Sequence, residues 1–245
     1  MAELAYMVRE DWAQYGTTMG EQSALIREWP GRPPYVFATA DRKKIELDHR
    51  GDAQFMTYVA PSADERHVID LSDLSGLRRS DEQLTAPLVV MHPHEERDCD
   101  LLREIVPADS VVKMFAIVWS PRDMVRAWLD GVGALNLHTG SVLEAPDAVQ
   151  LEAAKCWVGE QYNGLSSGNG KGAVVQLLRA FTDAGYPLDV ETWLRAFFAA
   201  GGEFEKATNV AKLIKEMREG TRHRIQTRCQ ADILSVLRER ATKYD

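Results

Sequence analysis

At 245 residues, with 45% hydrophobic and 27% charged residues, the chain is long and apolar enough to build its own core. That composition excludes a disordered chain and a small fold that needs a metal or disulfide staple. The net charge of −8 opposes a generic nucleic-acid coat or a binder of anionic membranes.

The acidic Met1-Ala2-Glu3-Leu4 start lacks the basic-then-apolar order of a secretory signal. The longest apolar runs, Leu88–Met91 and Met114–Trp119, are too short to span a bilayer. Cys99, Cys156 and Cys229 are scattered, with no zinc or CxxC spacing and an odd count that suits no disulfide framework. Together these features predict a cytoplasmic protein with three reduced thiols and no membrane partner.

Taken in chain order, Leu4, Val8, Trp12 and Tyr15 repeat at helical spacing and predict a first helix ending at Gly16. A second short helix, Glu21–Trp29, stops at Pro30-Gly31. The β-rich run Tyr35–Thr39, the alternation in Lys44–Asp48 and the run Phe55–Val59 predict three strands. A turn at residues 49–52 would fold them into an antiparallel hairpin or small meander.

The continuous apolar runs of His67–Leu71, Pro87–Met91 and Val112–Trp119 suit strands buried on both faces of a parallel sheet. A helix over Glu95–Val106 separates the last two. Ser120, Pro121 and Asp123 then mark the start of another, running to about Val132. Strand, helix, strand, helix is the order of a parallel crossover unit.

Beyond Ala145 the periodicity is helical throughout, over Val149–Tyr162, Ala173–Ala184, Val190–Ala200, Phe204–Arg218 and Ala231–Ala241. The tryptophans at 119, 128, 157 and 193 fall on apolar stripes and are expected in the core. The expected architecture is an α/β N-terminal part (residues 1–144), a small mixed sheet with a parallel βαβα unit. It is packed against an all-α C-terminal part (residues 145–245), with no strand after residue 150.

Open α/β sheets bind ligands beyond the carboxyl ends of their strands. Those positions hold Asp41, Asp70, Asp73, His92, His94, Ser120, Arg122 and Asp123. His92-Pro93-His94 is the densest group of potential ligands, because an extended backbone would let both imidazoles reach one ion. Asp70, His92 and His94 are therefore candidate metal ligands, with Asp73 or Glu96 as general base, in a divalent-metal-dependent hydrolase or nuclease. The competing reading is helix capping, with Glu95, Glu96 and Asp98 at the positive end of the helix.

Residues 164–172 resemble a phosphate loop only superficially. A Walker motif requires glycine where Leu165 stands and Ser or Thr where Gly172 stands, and it follows a strand. The weaker expectation is that Gly168, Asn169, Gly170 and Lys171, at a helix start, offer free amides and a cation to an anionic group. No serine has the context of a nucleophile elbow.

Residues 206–245 carry ten basic and five acidic residues, a balance of +5, which leaves −13 on residues 1–205. Within that basic end, Arg222, Arg224 and Arg228 lie in a segment without acids or aromatics. They either dock onto the acidic body, the preferred reading, or meet an anionic partner.

The leading functional expectation is a regulatory or partner-binding protein that recognises nucleic acid or a phosphorylated small molecule. Its contacts would come from Gly168–Lys171 and the three arginines. The metal-dependent hydrolase, with a divalent ion as cofactor, is the alternative from another class. A structural subunit without a small-molecule site is the third.

Overall fold

The structure, a computed structural model, describes residues 2–12, 18–47, 50–80 and 83–243. The chain divides into two compact units, residues 1–129 with 133–143 and residues 130–132 with 144–245.

Unit one is built on a seven-stranded sheet. Its strands are β1 (Glu3–Val8), β2 (Tyr35–Thr39), β3 (Arg66–Asp70), β4 (Leu88–Met91), β5 (Lys113–Val118), β6 (Leu135–Asn136) and β7 (Ser141–Val142). The order across the sheet is β3-β2-β4-β5-β1-β6-β7. Every neighbouring pair is parallel except β6 with β7.

The helices of this unit are α1 (Met19–Glu28), α2 (Arg42–Leu47), α3 (Arg50–Val59), α4 (Ser75–Arg79), α5 (Glu96–Ile105) and α6 (Met124–Gly131). The sequence β4–α5–β5–α6 is the expected crossover unit. Asp123 accepts a hydrogen bond from the Ser120 amide (3.0 Å) at the entrance to α6.

Three expected elements differ. The first helix is the strand β1, paired along its length with β5 through Ala5↔Phe115 and Met7↔Ile117. Residues 5–8 are all buried, which a strand inside a parallel sheet allows and one face of a surface helix does not. The strand expected at Lys44–Asp48 lies in α2 as far as Leu47, Asp48 being outside the described residues, and that expected at Phe55–Val59 lies in α3, so no antiparallel meander forms among the described residues. In α3, Phe55, Met56 and Val59 recur at helical spacing and are buried, as is Ala60 just beyond it, and α3 packs along α1. Five-residue apolar stretches do not separate strand from helix by period alone. Tyr15, Gly16 and the turn residue His49 lie outside the described residues.

One face of the sheet packs Ala5, Met7, Phe37, Val89, Phe115 and Ile117 against Trp12, Ile26, Phe55 and Met56. Each fully buried Phe or Ile contributes on the order of 1.5–3 kcal/mol through removal of apolar area from water.

Unit two is helical: α7 (Ala148–Glu160), α8 (Gly168–Asp183), α9 (Val190–Ala199), α10 (Phe204–Arg218) and α11 (Ile233–Ala241). Among the described residues no strand follows Val142. Asp147 accepts from the amides of Val149 and Gln150, and Asp189 from that of Thr192, so both serve as N-caps. Gly185 and Gly201, at φ +91° and +89°, end α8 and α9 in the left-handed conformation that spares glycine a steric penalty.

The core of this unit is aromatic. Trp193 lies 4.9 Å from Trp157 and 5.0 Å from Phe181, ring centroid to centroid, and Phe198 lies 4.5 Å from Phe204. Among the described residues no helix is long and apolar enough to cross a membrane.

Candidate functional site

Two side-chain groupings stand out, one in each unit. In unit one, β2 leads to β3 on one side of the sheet and β4 leads to β5 on the other. A topological switch point therefore lies between neighbouring β2 and β4.

His92 follows β4 directly and has φ +49°, an unusual conformation for a residue with a side chain. Its amide is held by the Ile117 carbonyl (2.9 Å). Arg9, just past β1, reaches the same place. Its Nη1 donates to Asp52 Oδ1 of α3 (2.5 Å) and lies 2.8 Å from His92 Nε2, which is itself 3.5 Å from the same Asp52 oxygen. His92 Nδ1 is buried and has no hydrogen-bond partner among the described residues.

The Arg9 guanidinium lies 5.2 Å from the Trp119 ring centre and 5.7 Å from that of Trp12, within cation–π range. His92 meets Trp119 edge-on at 5.1 Å. Trp119 is 53% exposed, contrary to the expectation that it is core; Trp128, Trp157 and Trp193 are buried as expected. The last residue of β5 is Val118, so Trp119 has already left the sheet.

Burial alone would raise the Asp52 carboxyl. The His92 imidazole and the Arg9 guanidinium more than offset that and hold it at about 2. The cluster thus carries a carboxylate ionised at any ordinary pH, already matched by a cation.

The candidate metal ligands are dispersed. Asp70 accepts from the Arg42 amide (2.8 Å), while Asp73 accepts from the Asp70 amide (3.2 Å), a reciprocal cap at the end of β3. His94 is exposed, bonded through Nδ1 to the His92 carbonyl and 3.4 Å from Glu95. Glu96 begins α5, where its charge meets the helix end. Among the described residues no three His, Cys, Asp or Glu side chains are grouped to hold an ion. Of the trio Asp70, His92 and His94, only His92 belongs to the switch-point cluster.

In unit two the structure joins two segments read separately in the sequence. The α8 helix begins at Gly168, earlier than the expected Ala173, so Gly168, Asn169, Gly170 and Lys171 form its first turn rather than a connecting loop. Ser167 precedes it without a side-chain cap, and the amides of Gly168, Asn169 and Gly170 have no partner among the described residues. Gly170 is buried against the Gly164 carbonyl, where a Cβ would collide with backbone.

The basic segment, residues 221–229, lies along this helix as a strap. The His223 carbonyl accepts from Arg179 Nη2 (2.6 Å). Gln176 Oε1 accepts from the amides of Arg228 (2.7 Å) and Cys229 (2.9 Å), while its Nε2 donates to the Cys229 carbonyl (2.8 Å). A Cβ on Gly172 would stand 3.2 Å from Arg228 Cγ and 3.3 Å from the Gln226 carbonyl. The strap therefore packs on Gly172 and on Gln176, just beyond the first turn of α8. Beside it an open cavity of about 440 Å³ is lined by Gln176, Arg179, Asp183, Gln230, Ile233 and Leu234.

The three arginines divide between the two readings of the basic end. Arg228 donates to Glu160 Oε1 at the end of α7 (3.0 Å), which is docking onto an acidic residue. Arg222 and Arg224 are exposed and have no carboxylate partner among the described residues. His223, between them, turns inward. Burial lowers its pKa first, the nearby Lys171 charge lowers it further, and Glu216 opposes both. Its Nε2 lies 3.5 Å from Glu216 Oε2, an electrostatic contact without hydrogen-bond geometry.

Cys99, Cys156 and Cys229 are unpaired, and burial pushes each thiol up, away from the thiolate a nucleophile needs.

Sequence reasoning missed Arg9, Asp52 and Gln176. Arg9 follows a strand read as a helix, and Asp52 sits in a helix read as a turn. Gln176 carried no signal, because its role is to satisfy backbone some fifty residues away. No protein-family model matches the chain, and neither a curated protein nor a solved structure matches it.

Proposed function

We propose that this is a cytoplasmic regulatory or partner-binding protein that recognises an anionic ligand, a nucleic acid or a phosphorylated small molecule, through its helical unit. The observation that carries the reading is the strap. It brings the exposed Arg222 and Arg224 onto the helix whose first turn holds Lys171 and three amides without a partner among the described residues. Amides at a helix start and arginine forks are complementary to phosphate oxygens. The three unpaired thiols agree with a reducing compartment.

The test is titration with inorganic phosphate, polyphosphate and oligonucleotides, comparing the natural chain with a Lys171→Ala, Arg222→Ala, Arg224→Ala variant. Binding that the variant loses supports the reading, and equal binding by both chains rejects it.

A second reading, hydrolysis at the strand ends, draws on the meeting of His92 with Asp52 at the switch point. A phosphoester panel assayed with and without divalent ions, using His92→Ala and Asp52→Asn, tests it. Turnover that survives both substitutions would sink it.

A further inference from the structure

We propose that the ligand of the helical unit is a single-stranded nucleic acid, held by the cations of the strap and by stacking on Tyr162. This rests on the anion-recognition reading and narrows it.

The charge is laid out along the strap, where Arg222 and Arg224 are exposed on either side of the inward-turned His223. Two residues of chain set their Cα atoms at most about 7 Å apart. A lone phosphate needs donors that converge to within hydrogen-bond distance of one point. Cations strung along a line of this length instead match a backbone that repeats its charge every few ångströms.

Tyr162 is 95% exposed, so it does no packing in the unit. It stands between Glu160, which holds Arg228, and Asn163, which donates to the same Glu160 carboxylate (3.3 Å). Two residues further on, Gly164 presses against Gly170 in the first turn of α8. The turn that carries Tyr162 is thus fixed to both the strap and the helix start. No aromatic is interleaved with the arginines in sequence; the fold supplies one from the end of α7. A ring beside a line of cations is what base stacking plus phosphate contact requires.

The experiment is fluorescence anisotropy of labelled twelve-nucleotide single strands, one DNA and one RNA, on the full chain across a salt series. Competitors are the matching duplex, polyphosphate and inorganic phosphate. Tyr162→Ala should weaken the preferred single strand by about tenfold or more without changing the salt slope. Tyr162→Phe should restore binding, and polyphosphate should not respond to either change. Replacing Arg222 and Arg224 with Ala should shallow the slope by roughly 1.4, at about 0.7 per phosphate contact on a single strand.

The proposal is overturned if Tyr162→Ala is neutral, or if duplex competes as well as the single strand. Binding of inorganic phosphate or polyphosphate without either oligonucleotide would reject the nucleic acid and leave anion recognition standing. No binding to any of these probes would reject both.

Discussion

Asp52 shows how one residue couples the strand ends to acid stability. Its carboxyl is held at about 2 against an ordinary 3.8, so the folded state favours the ionised form. A depressed carboxylate contributes stability that is fully present above the unfolded pKa and is lost as pH falls through the folded one. The separation corresponds to on the order of 2 kcal/mol, lost between about pH 5 and pH 2. Asp52→Asn should flatten this part of the stability–pH curve and cost about 1–3 kcal/mol at neutral pH, because Arg9 loses its charged partner. Denaturant melts at neutral pH and at two acidic points inside that window check both statements; an unchanged pH dependence would contradict them. At Gly170 the expected effect has a different origin. Gly170→Ala places a methyl against the Gly164 backbone and should cost over about 1 kcal/mol, more than helix propensity could return. A thermal melt at or above the natural transition would refute that.

The strap has no regular secondary structure, and its order depends on side chains of α8. Gln176 alone satisfies two amides and a carbonyl. Gln176→Ala leaves those groups to water or unpaired, at about 1–3 kcal/mol if the strap stays in place. The expected outcome is local: hydrogen exchange at residues 223–229 should quicken while the amides of α9 keep their protection. Uniform loss of protection across the unit would show that the strap is not a separable element. Substituting Arg222, Arg224 and Arg228 together with Ala should change stability by less than about 1 kcal/mol. Of the three, Arg228 has the carboxylate partner, and that pair is partly exposed and screened by water and salt. A loss of several kcal/mol in a denaturant melt would revive docking as the main role of these charges.

At the scale of the whole chain the two charge sums oppose each other. The basic end attracts polyanions, while the −13 on the rest repels them. Salt weakens the attraction by counterion release and also screens the repulsion. The net slope of log affinity against log salt should therefore be shallower than about −2.1, the figure for three cations each meeting a single-strand phosphate. Anisotropy titrations between about 50 and 200 mM salt, a range over which counterion release changes affinity measurably, give that slope directly. A steeper slope would mean that more than three cations take part.

Local sequence determined those elements whose signals are strong and self-contained. The apolar runs at Pro87–Met91 and Val112–Trp119 are strands because β-branched and apolar residues without interruption have few other places to go. In the second unit the helices follow 3.6-residue periodicity closed by Asp caps and glycine stops, a code written within about fifteen residues. Tertiary context decided the rest. Leu4–Val8 fits a helical repeat until β5 and β6 pair on either side of it, and Phe55–Val59 fits a strand until α1 offers its face. The candidate sites divide in the same way. His92 and the residues Gly168–Lys171 with Arg222 and Arg224 are visible as unusual local composition. Their neighbours Arg9, Asp52, Gln176 and Tyr162 are not, because a hydrogen bond or stacking surface between residues tens of positions apart leaves no periodic trace in the chain. Pairing across the fold depends on which backbone groups the packing leaves unsatisfied, and that is settled only when the helices and strands have met.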